Sequence, residues 1–421
     1  MRNLLRRGVF LAVLLLGALR VYIVAHQTRR FVLKKPRILL VHPGHMGALV
    51  MVTPILHALR THAPDAHITM LIGPWSKEVV ARHPDVDEIL TCTFPSHRDN
   101  SINALSSYAL LLKVARQFRK GNYDLAISLR PNFWWGAALL YLAGIPHRVG
   151  YDVQSCTPLL TDAIPRVQQE HFTASYLRLA SMGLKVLGCE PLDEPYTPES
   201  YPMHFVPTAT EQLWATERLS TERNVPSQPV VVIHPGTGGE VKLWRSEAWA
   251  ACVDALTQPS GTFYGACIIL TGSKSEQSLL KEIEDAMKSH ATTITGMTLG
   301  QLAALLQQAQ LVLGVDSGPL HLAVAQGTPT IRIFGPTDAV TFGPWGKQEQ
   351  HAVVVATHRC PTCPAIPCRR LNFQPEELAA HPCVKLVSEQ EVLTTIARKF
   401  PHILAAEDKL SLVQSLTKTQ V

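Results

Sequence analysis

The sequence predicts an α/β protein made of two doubly wound domains, each a parallel sheet with helices on both faces. Short apolar segments of strand length alternate with longer helical patterns along most of the chain, and this alternation is typical of parallel sheets. Two of the segments, 37–42 and 230–234, both lead through His-Pro-Gly into a glycine-rich turn. The pattern therefore begins twice, and 421 residues are enough for two domains of ordinary size.

Residues 37–189 are predicted to form the first domain. Their short apolar segments have the length and composition of strands buried on both faces of a parallel sheet. The predicted strands are 37–42, 67–72, 88–91 and 125–129, and the predicted helices are 48–62, 76–82, 105–119, 134–143 and 171–186. Pro54 lies inside the first helical pattern and predicts a kink there, because proline has no N–H to donate.

Residues 190–228 are predicted to link the two domains, because the part up to Thr208 is rich in Pro, Glu and Thr. The strand and helix pattern then restarts and defines a second domain, 229–400, which is followed by a tail, 401–421. The predicted strands of this domain are 230–234, 266–270, 311–315 and 330–334, and its predicted helices are 246–257, 275–289, 299–307 and 319–326.

Residues 1–36 are predicted to form a membrane-associated helix with basic flanks. An apolar run from Gly8 to Leu19 continues past Arg20 to Ala25, between two groups of basic residues. With Arg20 tolerated, this stretch reaches the roughly 17 to 20 residues that a membrane span needs. A signal peptide, a single anchor helix, an interfacial amphipathic helix and a buried helix of the first domain all remain open. The heavier positive flank on the C-terminal side favours a cytoplasmic position for the body.

The distribution of charge argues against a nucleic-acid-binding protein. The formal net charge is +6, but residues 1–37 alone carry seven Arg and two Lys and no Asp or Glu, a local charge of +9. Subtracting +9 from +6 leaves about −3 for the rest of the chain. The globular part therefore lacks the basic surface that binding to many phosphates requires, and no nucleic acid is expected among its partners.

The turn after the first strand is one candidate ligand site. It reads His-Pro-Gly-His-Met-Gly over residues 42–47 and leads directly into a helical pattern. In doubly wound sheets, ligands bind at the carboxyl ends of the strands, where a helix N-terminus favours an anion. Gly44 and Gly47 would let a ligand approach the backbone closely, and the alternative is that they only form a tight turn.

Two loops of the second domain carry residue types suited to a diphosphate. The glycine-rich loop 234–245 offers hydroxyl and cationic side chains, and its alternative interpretation is a solvated loop. A buried strand ends in Asp316-Ser317-Gly318, and the following proline is placed to open a helix. Ser317 as a plain N-cap and His321 as a buried core histidine remain open alternatives.

These segments, together with Thr53-Pro54, Trp244 and the Gly-Pro-Thr of 335–337, resemble glycosyltransferase family 9, the heptosyltransferases of bacterial lipopolysaccharide core synthesis. The resemblance extends from Arg37 to Lys399. It implies the GT-B fold, in which two Rossmann-like doubly wound domains face a central cleft, here preceded by an N-terminal apolar helix. It also implies an inverting transfer of a sugar, with heptose from ADP-heptose as one known donor, to a lipopolysaccharide-like or other surface-glycan acceptor. No cofactor is implied for the chemistry, and the enzyme would work at the cytoplasmic face of the inner membrane.

Carried over by position, the resemblance assigns the nucleotide-sugar to the second domain and the acceptor to the first. The implied donor-binding residues are Thr237, Gly238, Asp316, Ser317, Gly318 and His321. Lys242 would stabilise the negative charge that develops on the leaving phosphate. The acceptor side would include Gly44 and Gly47. Independently of the resemblance, Trp134 and Trp135 open a helical pattern, and Trp134 would then form a platform for a sugar or lipid acceptor. The alternative for this tryptophan is half-buried packing.

One position departs from the family. Its members usually carry an aspartate, the expected catalytic base, directly after the glycine of the first turn, and this chain has Ala48 there. We expect His45 to serve as the base beside Lys242 as the second catalytic residue. His42 as the base, an acidic acceptor hydroxyl, or sugar-nucleotide binding without transfer remain open. The last would make the chain a regulatory pseudoenzyme, and a sugar-nucleotide epimerase is a further alternative of the same architecture.

The nine cysteines fall into two groups. Five are scattered singly among apolar neighbours, which is typical of buried thiols in a reducing compartment. The other four cluster near the C-terminus at Cys360, Cys363, Cys368 and Cys383. A C-x2-C pair followed by two further cysteines is able to bind a structural zinc ion or an iron–sulfur cluster. Free or transiently oxidised thiols are the alternative.

Overall fold

The structure, a computed structural model, describes residues 35–95 and 104–400. Two compact units meet in sequence between His204 and Phe205, inside the segment that the sequence predicts as a linker. The predicted N-terminal apolar helix and the predicted tail lie outside the described residues. Within the described ranges, none of the helices combines the length and the hydropathy that a membrane span requires.

The first unit is built on a six-stranded sheet in which every neighbouring pair of strands is parallel. Its strands are β1 Arg37–His42, β2 His67–Ile72, β3 Glu88–Thr91, β4 Leu125–Ser128, β5 His147–Tyr151 and β6 Asp162–Ile164. Its helices are α1 Met46–His62, α2 Lys77–Val80, α3 Ala104–Arg119, α4 Trp134–Ala143 and α5 Phe172–Val186. The strand order is β3-β2-β1-β4-β5-β6.

The second unit repeats this plan with its own six parallel strands. The strands are β7 Val230–His234, β8 Cys267–Gly272, β9 Thr292–Thr295, β10 Leu311–Val315, β11 Thr330–Phe334 and β12 His351–Val355. The helices are α6 Ala209–Glu222, α7 Ser246–Thr257, α8 Gln277–Ala286, α9 Leu299–Gln307, α10 Gly318–Ala325, α11 Ala339–Phe342 and α12 Glu389–Lys399. The strand order is β12-β11-β10-β7-β8-β9.

Burial of the central strands explains their sequences. All five residues of β7, β10 and β11 are buried, and so are the four apolar residues that follow Arg37 in β1. Because helices cover both faces of such a sheet, a central strand needs apolar side chains on both sides and reads as a continuous apolar run. The confirmed prediction of two parallel-sheet α/β domains depends mainly on these strands.

In both sheets, the chain reverses at the centre the direction in which it adds strands. The chain goes from β1 outward to β3 and then returns to add β4 on the other side of β1, and β7 and β10 are related in the same way. The carboxyl ends of two such neighbouring strands diverge into loops on opposite sides of the sheet and leave a crevice between them. Each unit therefore has one preferred place for a ligand.

A proline inside α1 is accommodated by its neighbour. The helix continues through Pro54, whose nitrogen has no hydrogen to donate to the Val50 carbonyl. The Thr53 hydroxyl donates to that carbonyl instead, at 2.7 Å, and accepts the backbone N–H of His204 at 2.9 Å. The Thr-Pro pair thus fastens the end of the first unit to its first helix.

Several elements are absent from the sequence-based prediction. The missing strands are β5, β6, β9 and β12, and the missing helices are α6, α11 and α12. In β5 the charged Arg148 interrupts the apolar pattern, yet it is buried and donates to backbone carbonyls, among them that of Leu159 at 2.8 Å. In α6 most residues are polar, and a capping box between Thr208 and Glu211 begins the helix inside the predicted linker.

Candidate active site

The crevice of the second unit brings together three residues that the sequence singles out. The Lys242 ammonium donates to the Asp316 backbone carbonyl at 2.6 Å and to its carboxylate at 3.2 Å, and the Thr237 hydroxyl donates to the same carbonyl at 3.2 Å. Thr237 and Lys242 follow β7, and Asp316 follows β10, so the contacts join the two loops on either side of the switch point. This is the position where doubly wound sheets bind ligands.

Asp316 is surrounded by basic groups. Its side chain is only 8% exposed, and the Lys242 side chain is 14% exposed. The His321 ring nitrogen lies 4.0 Å from the carboxylate, and the fully buried Arg332 contacts the other ring nitrogen at 3.4 Å. Burial lowers the pKa of the Arg332 guanidinium to about 9, against the opposing effect of Asp316, so it stays charged at neutral pH. Two cations against one carboxylate favour an added anion here.

The start of α10 provides further donors at this point. Ser317 occupies the N-cap position, yet its hydroxyl makes no capping hydrogen bond, and the buried oxygen has no hydrogen-bond partner among the described residues. The plain N-cap interpretation is therefore not what the structure shows. Gly318 is the first residue of the helix, and the N–H groups of a first helical turn have no intrahelical acceptor. A hydroxyl without a partner beside such a turn is suited to a phosphate oxygen.

The start of the glycine-rich loop after β7 is fixed by contacts with residues that follow the neighbouring strand β8 or lie in it. The His234 ring is buried and its Nδ1 lies 3.0 Å from the Thr271 hydroxyl, and burial lowers its pKa to about 4 although Glu276 acts in the other direction. A side chain at Gly236 would collide with the Glu276 carboxylate. Gly238, in contrast, is exposed, and a Cβ there would meet nothing within 4 Å. The loop is thus fixed at its base and accessible at its tip.

The first unit places His42 in a structural role. Its ring is buried, its Nδ1 accepts the Gly44 N–H at 2.9 Å, and its Nε2 lies 3.0 Å from the Tyr176 hydroxyl. Burial, followed by the charge of Arg130, lowers its pKa to about 3. Both ring nitrogens are occupied within the fold, so this histidine is unsuited to take a proton from a substrate.

His45 lies differently in the same turn. It is the N-cap residue of α1, its side chain is exposed, and its ring packs at a 31° tilt against Trp75 with centroids 5.6 Å apart. The Gly44 carbonyl accepts hydrogen bonds from Trp75 Nε1 at 3.1 Å and from the Ser76 hydroxyl at 2.8 Å. Gly44 also lacks room for a side chain, because a Cβ would meet the His42 ring. The turn is therefore rigid, and it presents His45 to solvent.

The other residues predicted on the acceptor side are Gly47, which lies in the same turn, and Trp134, which lies at the start of α4. Gly47 and Ala48 are in the first turn of α1, which carries no acidic residue, and both are partly exposed. Trp134 is the first residue of α4, and its ring packs edge-on against Tyr108 at 6.2 Å. Its buried indole nitrogen has no partner within the described ranges. This geometry agrees with the half-buried packing that the sequence leaves open, and its role as an acceptor platform stays a prediction.

The sequence model of glycosyltransferase family 9 (heptosyltransferase) matches residues 111–372, which is more than half of the chain. The chain belongs to glycosyltransferase family 9. It is similar to lipopolysaccharide heptosyltransferase 3 of Escherichia coli, with 27% identity over 308 residues that cover 71% of this chain and 83% of the relative.

Solved structures of family 9 share the fold. The glycosyltransferase family 9 protein of Veillonella parvula DSM 2008 superposes with a TM-score of 0.66 at 22% identity, over 88% of this chain and 98% of that one. The E. coli ADP-heptose lipopolysaccharide heptosyltransferase II gives a TM-score of 0.63 at 21% identity, over 88% and 99%. The predicted family is confirmed, and the chain is a glycosyltransferase.

Family 9 motifs predict the residues on loops better than the residues that support them. Two supporting side chains are missing from the prediction, Glu276 beneath Gly236 and Arg332 beside His321. Arg332 leaves a signal in the sequence, because it is a charged residue in the middle of the apolar strand β11. Glu276 leaves a weaker signal, since it completes a capping box with Ser273 after β8.

Proposed function

We propose that the chain is an inverting heptosyltransferase that transfers heptose from ADP-heptose to a lipopolysaccharide-like or other surface-glycan acceptor. Family membership supports the reaction class. The similar E. coli proteins support the sugar and the acceptor, since one is a lipopolysaccharide heptosyltransferase and another an ADP-heptose lipopolysaccharide heptosyltransferase. The proposal assigns the donor to the second unit and the acceptor to the first.

The observation that carries the donor assignment is the pairing of Lys242 with Asp316 beside the Ser317 hydroxyl, for which the described part of the chain offers no partner. In the proposed complex the diphosphate lies at the N-terminus of α10, where Ser317 and the free N–H groups donate to its oxygens. Lys242 then turns from the Asp316 carboxylate toward the phosphate. Asp316 keeps that ammonium in place before the donor binds.

The proposed reaction has a single displacement. The acceptor hydroxyl loses its proton to a base and its oxygen forms a bond to the anomeric carbon. The bond from that carbon to the phosphate oxygen breaks on the opposite side, and the nucleoside diphosphate leaves. Lys242 stabilises the charge on this leaving group, an electrostatic contribution that typically accounts for a factor of about 10² to 10³ in rate.

We assign the base to His45, because it is the exposed histidine of the turn in which family members carry the aspartate. A histidine has an ordinary pKa near neutrality and takes up a proton readily at cellular pH. Ala48 has no group that accepts a proton. In this proposal the base therefore lies at position 45, three residues before the position of the family's aspartate.

Calorimetric titration of the purified full chain with ADP-heptose, UDP-sugars and GDP-sugars tests the donor assignment. We expect binding of ADP-heptose and a dissociation constant raised at least tenfold in Asp316→Ala, because the ammonium of Lys242 is then no longer oriented. Lys281→Met is the control, since this lysine forms an exposed ion pair with Asp285 on α8. Failure of every sugar nucleotide to bind the folded wild-type protein would refute the donor site.

Initial rates with heptose-deficient lipopolysaccharide as acceptor test the base. We expect His45→Gln to lower kcat by about 10² to 10⁴. Ala48→Asp in the His45→Gln background restores part of the rate, and Ala48→Asn is the isosteric control without a base. An unchanged kcat in His45→Gln would remove this histidine from the mechanism. No transfer by the wild type, with ADP-heptose bound, would favour the pseudoenzyme.

We also propose that residues 1–36 hold the enzyme at the cytoplasmic face of the inner membrane, on the basis of their apolar run and basic flanks. Flotation of the full chain with vesicles of phosphatidylethanolamine and phosphatidylglycerol tests this. We expect it to float with the vesicles, and replacement of the basic residues of the flanks by serine should weaken binding. Full recovery of the wild type in the unbound fraction would contradict the proposal.

A further inference from the structure

A compact cluster of thiols and one imidazole lies in the second unit, between β12 and α12. Cys360, Cys363 and Cys383 are buried, His381 is buried beside them, and Cys368 is partly exposed. These residues come from two separate stretches of the segment, since 18 positions separate Cys363 from His381. The fold therefore gathers groups that the sequence shows only as an irregular series.

The groups of this cluster are close enough together to share a metal ion. The ligand atoms of Cys360, Cys363 and His381 all lie within 4.8 Å of one another, and Cys363 Sγ is 3.2 Å from His381 Nδ1. In a tetrahedral site with metal–sulfur bonds of about 2.3 Å and metal–nitrogen bonds of about 2.0 Å, neighbouring ligand atoms are roughly 3.5 to 3.8 Å apart. Within the described ranges, no other group of three or more such side chains comes this close together.

Cys383 is the candidate for the fourth ligand. It is buried, it follows His381 by two positions, and its sulfur is 3.2 Å from where a Cβ of Gly335 would be. A cation stabilises the thiolate form of the cysteines that bind it, because thiolates are its ligands. Cys368 is less suitable than Cys383, because it is the one partly exposed member of the cluster.

The orientation of His381 also suits a ligand. Its Nε2 lies 3.5 Å from the Thr362 hydroxyl, and its ring packs on Phe373 with centroids 4.0 Å apart. A hydrogen bond from Nε2 to an acceptor would leave Nδ1, the atom beside Cys363, unprotonated and free to bind a metal. Histidine ligands in metal sites are commonly oriented by such a second hydrogen bond.

This segment supports loops of the proposed donor site. The Val384 side chain lies where a Cβ of Gly335 would be, and the Cys383 sulfur is 3.2 Å from that position. The Arg369 N–H donates to the Pro336 carbonyl at 2.8 Å. Farther along, the Val387 carbonyl accepts a hydrogen bond from the Trp244 indole at 2.8 Å. An ion that fixes the cluster would therefore also fix the loop after β11 and the residues that follow Lys242.

We propose that Cys360, Cys363, Cys383 and His381 bind one thiophilic metal ion in tetrahedral geometry, with Zn²⁺ as the expected ion. The ion takes no part in the transfer reaction. It holds the segment between β12 and α12 against the donor-site loops, and this second statement rests on the proposed function. The proposed set of ligands does not depend on the proposed function, because metal content alone tests it.

Elemental mass spectrometry of the purified full chain tests the site. We expect about one zinc ion per wild-type chain, as for structural sites of this kind. Cys363→Ser, Cys383→Ser and His381→Ala should each lose most of the ion. Cys368→Ser is the matched control inside the same segment and keeps it, and Cys189→Ser is the control in the first unit. Because a ligand variant that fails to fold would also lose metal, cobalt exchange into the wild type gives an independent measurement.

The cobalt-substituted wild type should show the intense visible ligand-field bands and the sulfur-to-metal charge transfer of tetrahedral thiolate coordination. Stoichiometric iron that is lost in the same three variants would support the site and identify a different ion. Absence of metal together with absence of the cobalt spectrum would overturn the proposal. So would two disulfides among the four cysteines, detected by counting thiols in unreduced, denatured protein. Loss of ADP-heptose affinity on chelation, with zinc stoichiometry confirmed beforehand, tests the supporting role separately.

Discussion

Replacement of Lys242 by methionine separates the proposed catalytic role of this residue from its contribution to stability. Methionine keeps most of the apolar stem and removes the ammonium that donates to Asp316 at 2.6 and 3.2 Å. Removing one partner of a fully buried ion pair typically costs about 3 to 5 kcal/mol. Here the Arg332 guanidinium remains near the carboxylate, so we expect the free energy of unfolding to fall by about 2 kcal/mol.

The effect on catalysis should be larger than the effect on stability. If Lys242 stabilises the leaving diphosphate, kcat falls by about 10² to 10³, which corresponds to roughly 2.7 to 4 kcal/mol of transition-state stabilisation. Initial rates at saturating ADP-heptose and acceptor give kcat, and urea unfolding followed by circular dichroism gives the stability. Lys281→Met is the control for loss of a positive charge, because its ion pair is exposed and contributes less than about 1 kcal/mol.

The double variant Lys242→Met, Asp316→Asn makes the test sharper. The neutral amide no longer needs a cationic partner, so we expect part of the lost stability to return while transfer stays as slow as in the single variant. A single variant that loses stability but keeps kcat within about threefold of the wild type would refute the catalytic role. Recovery of kcat in the double variant would refute it as well.

Three further predictions concern buried hydrogen-bonding groups. Ser317→Ala removes a hydroxyl that has no partner among the described residues. Calorimetry should show a dissociation constant for ADP-heptose about tenfold higher, and urea unfolding should show no loss of stability. Unchanged affinity would contradict the donor assignment. His42 has a folded pKa of about 3 and an unfolded pKa near 6.5, so only the unfolded chain binds this proton between those values and stability falls as the pH decreases through that window. In His42→Gln, the pH slope of the unfolding free energy between pH 4 and 6 should be smaller by about 1.4 kcal/mol per pH unit, and an unchanged slope would show that the imidazole titrates normally. Thr53→Val leaves the Val50 carbonyl and the His204 N–H without the Thr53 hydroxyl as partner. We expect urea unfolding to show that the free energy of unfolding falls by about 2 kcal/mol, and a decrease below about 0.5 kcal/mol would contradict the structural role of this hydroxyl.

The sequence predicts the central strands well because their burial dictates their composition. The bounds of β1, β2, β7, β10 and β11 are those predicted, since each is an almost unbroken apolar run, and the bounds of the edge strand β3 are also as predicted. The edge strand β9 reads Thr-Thr-Ile-Thr and is only partly buried, so it resembles loop sequence. The strands at the edges face solvent on one side and need no apolar run.

The candidate site also contains residues that the sequence predicts and residues that it does not. Lys242 and Asp316 are predictable because each lies in a motif directly after a central strand, and parallel strands bring such loops to one edge of the sheet. The partner of His42 is not predictable, since Tyr176 is 134 residues away and its hydroxyl is selected by packing of α5 against the sheet. The gathering of His381 with the cysteines is equally non-local.

The two sheets have the same strand order, and no strand is shared between them. Under the proposed assignment, each reactant has a crevice supported by its own hydrophobic core. Mutations that reshape one crevice then leave the stability of the other nearly untouched, so acceptor choice is free to diverge among related enzymes while the activated sugar is retained. A chimera that joins the first unit of one relative to the second unit of another, at the junction of His204 and Phe205, should accordingly have the acceptor preference of the relative that supplies the first unit.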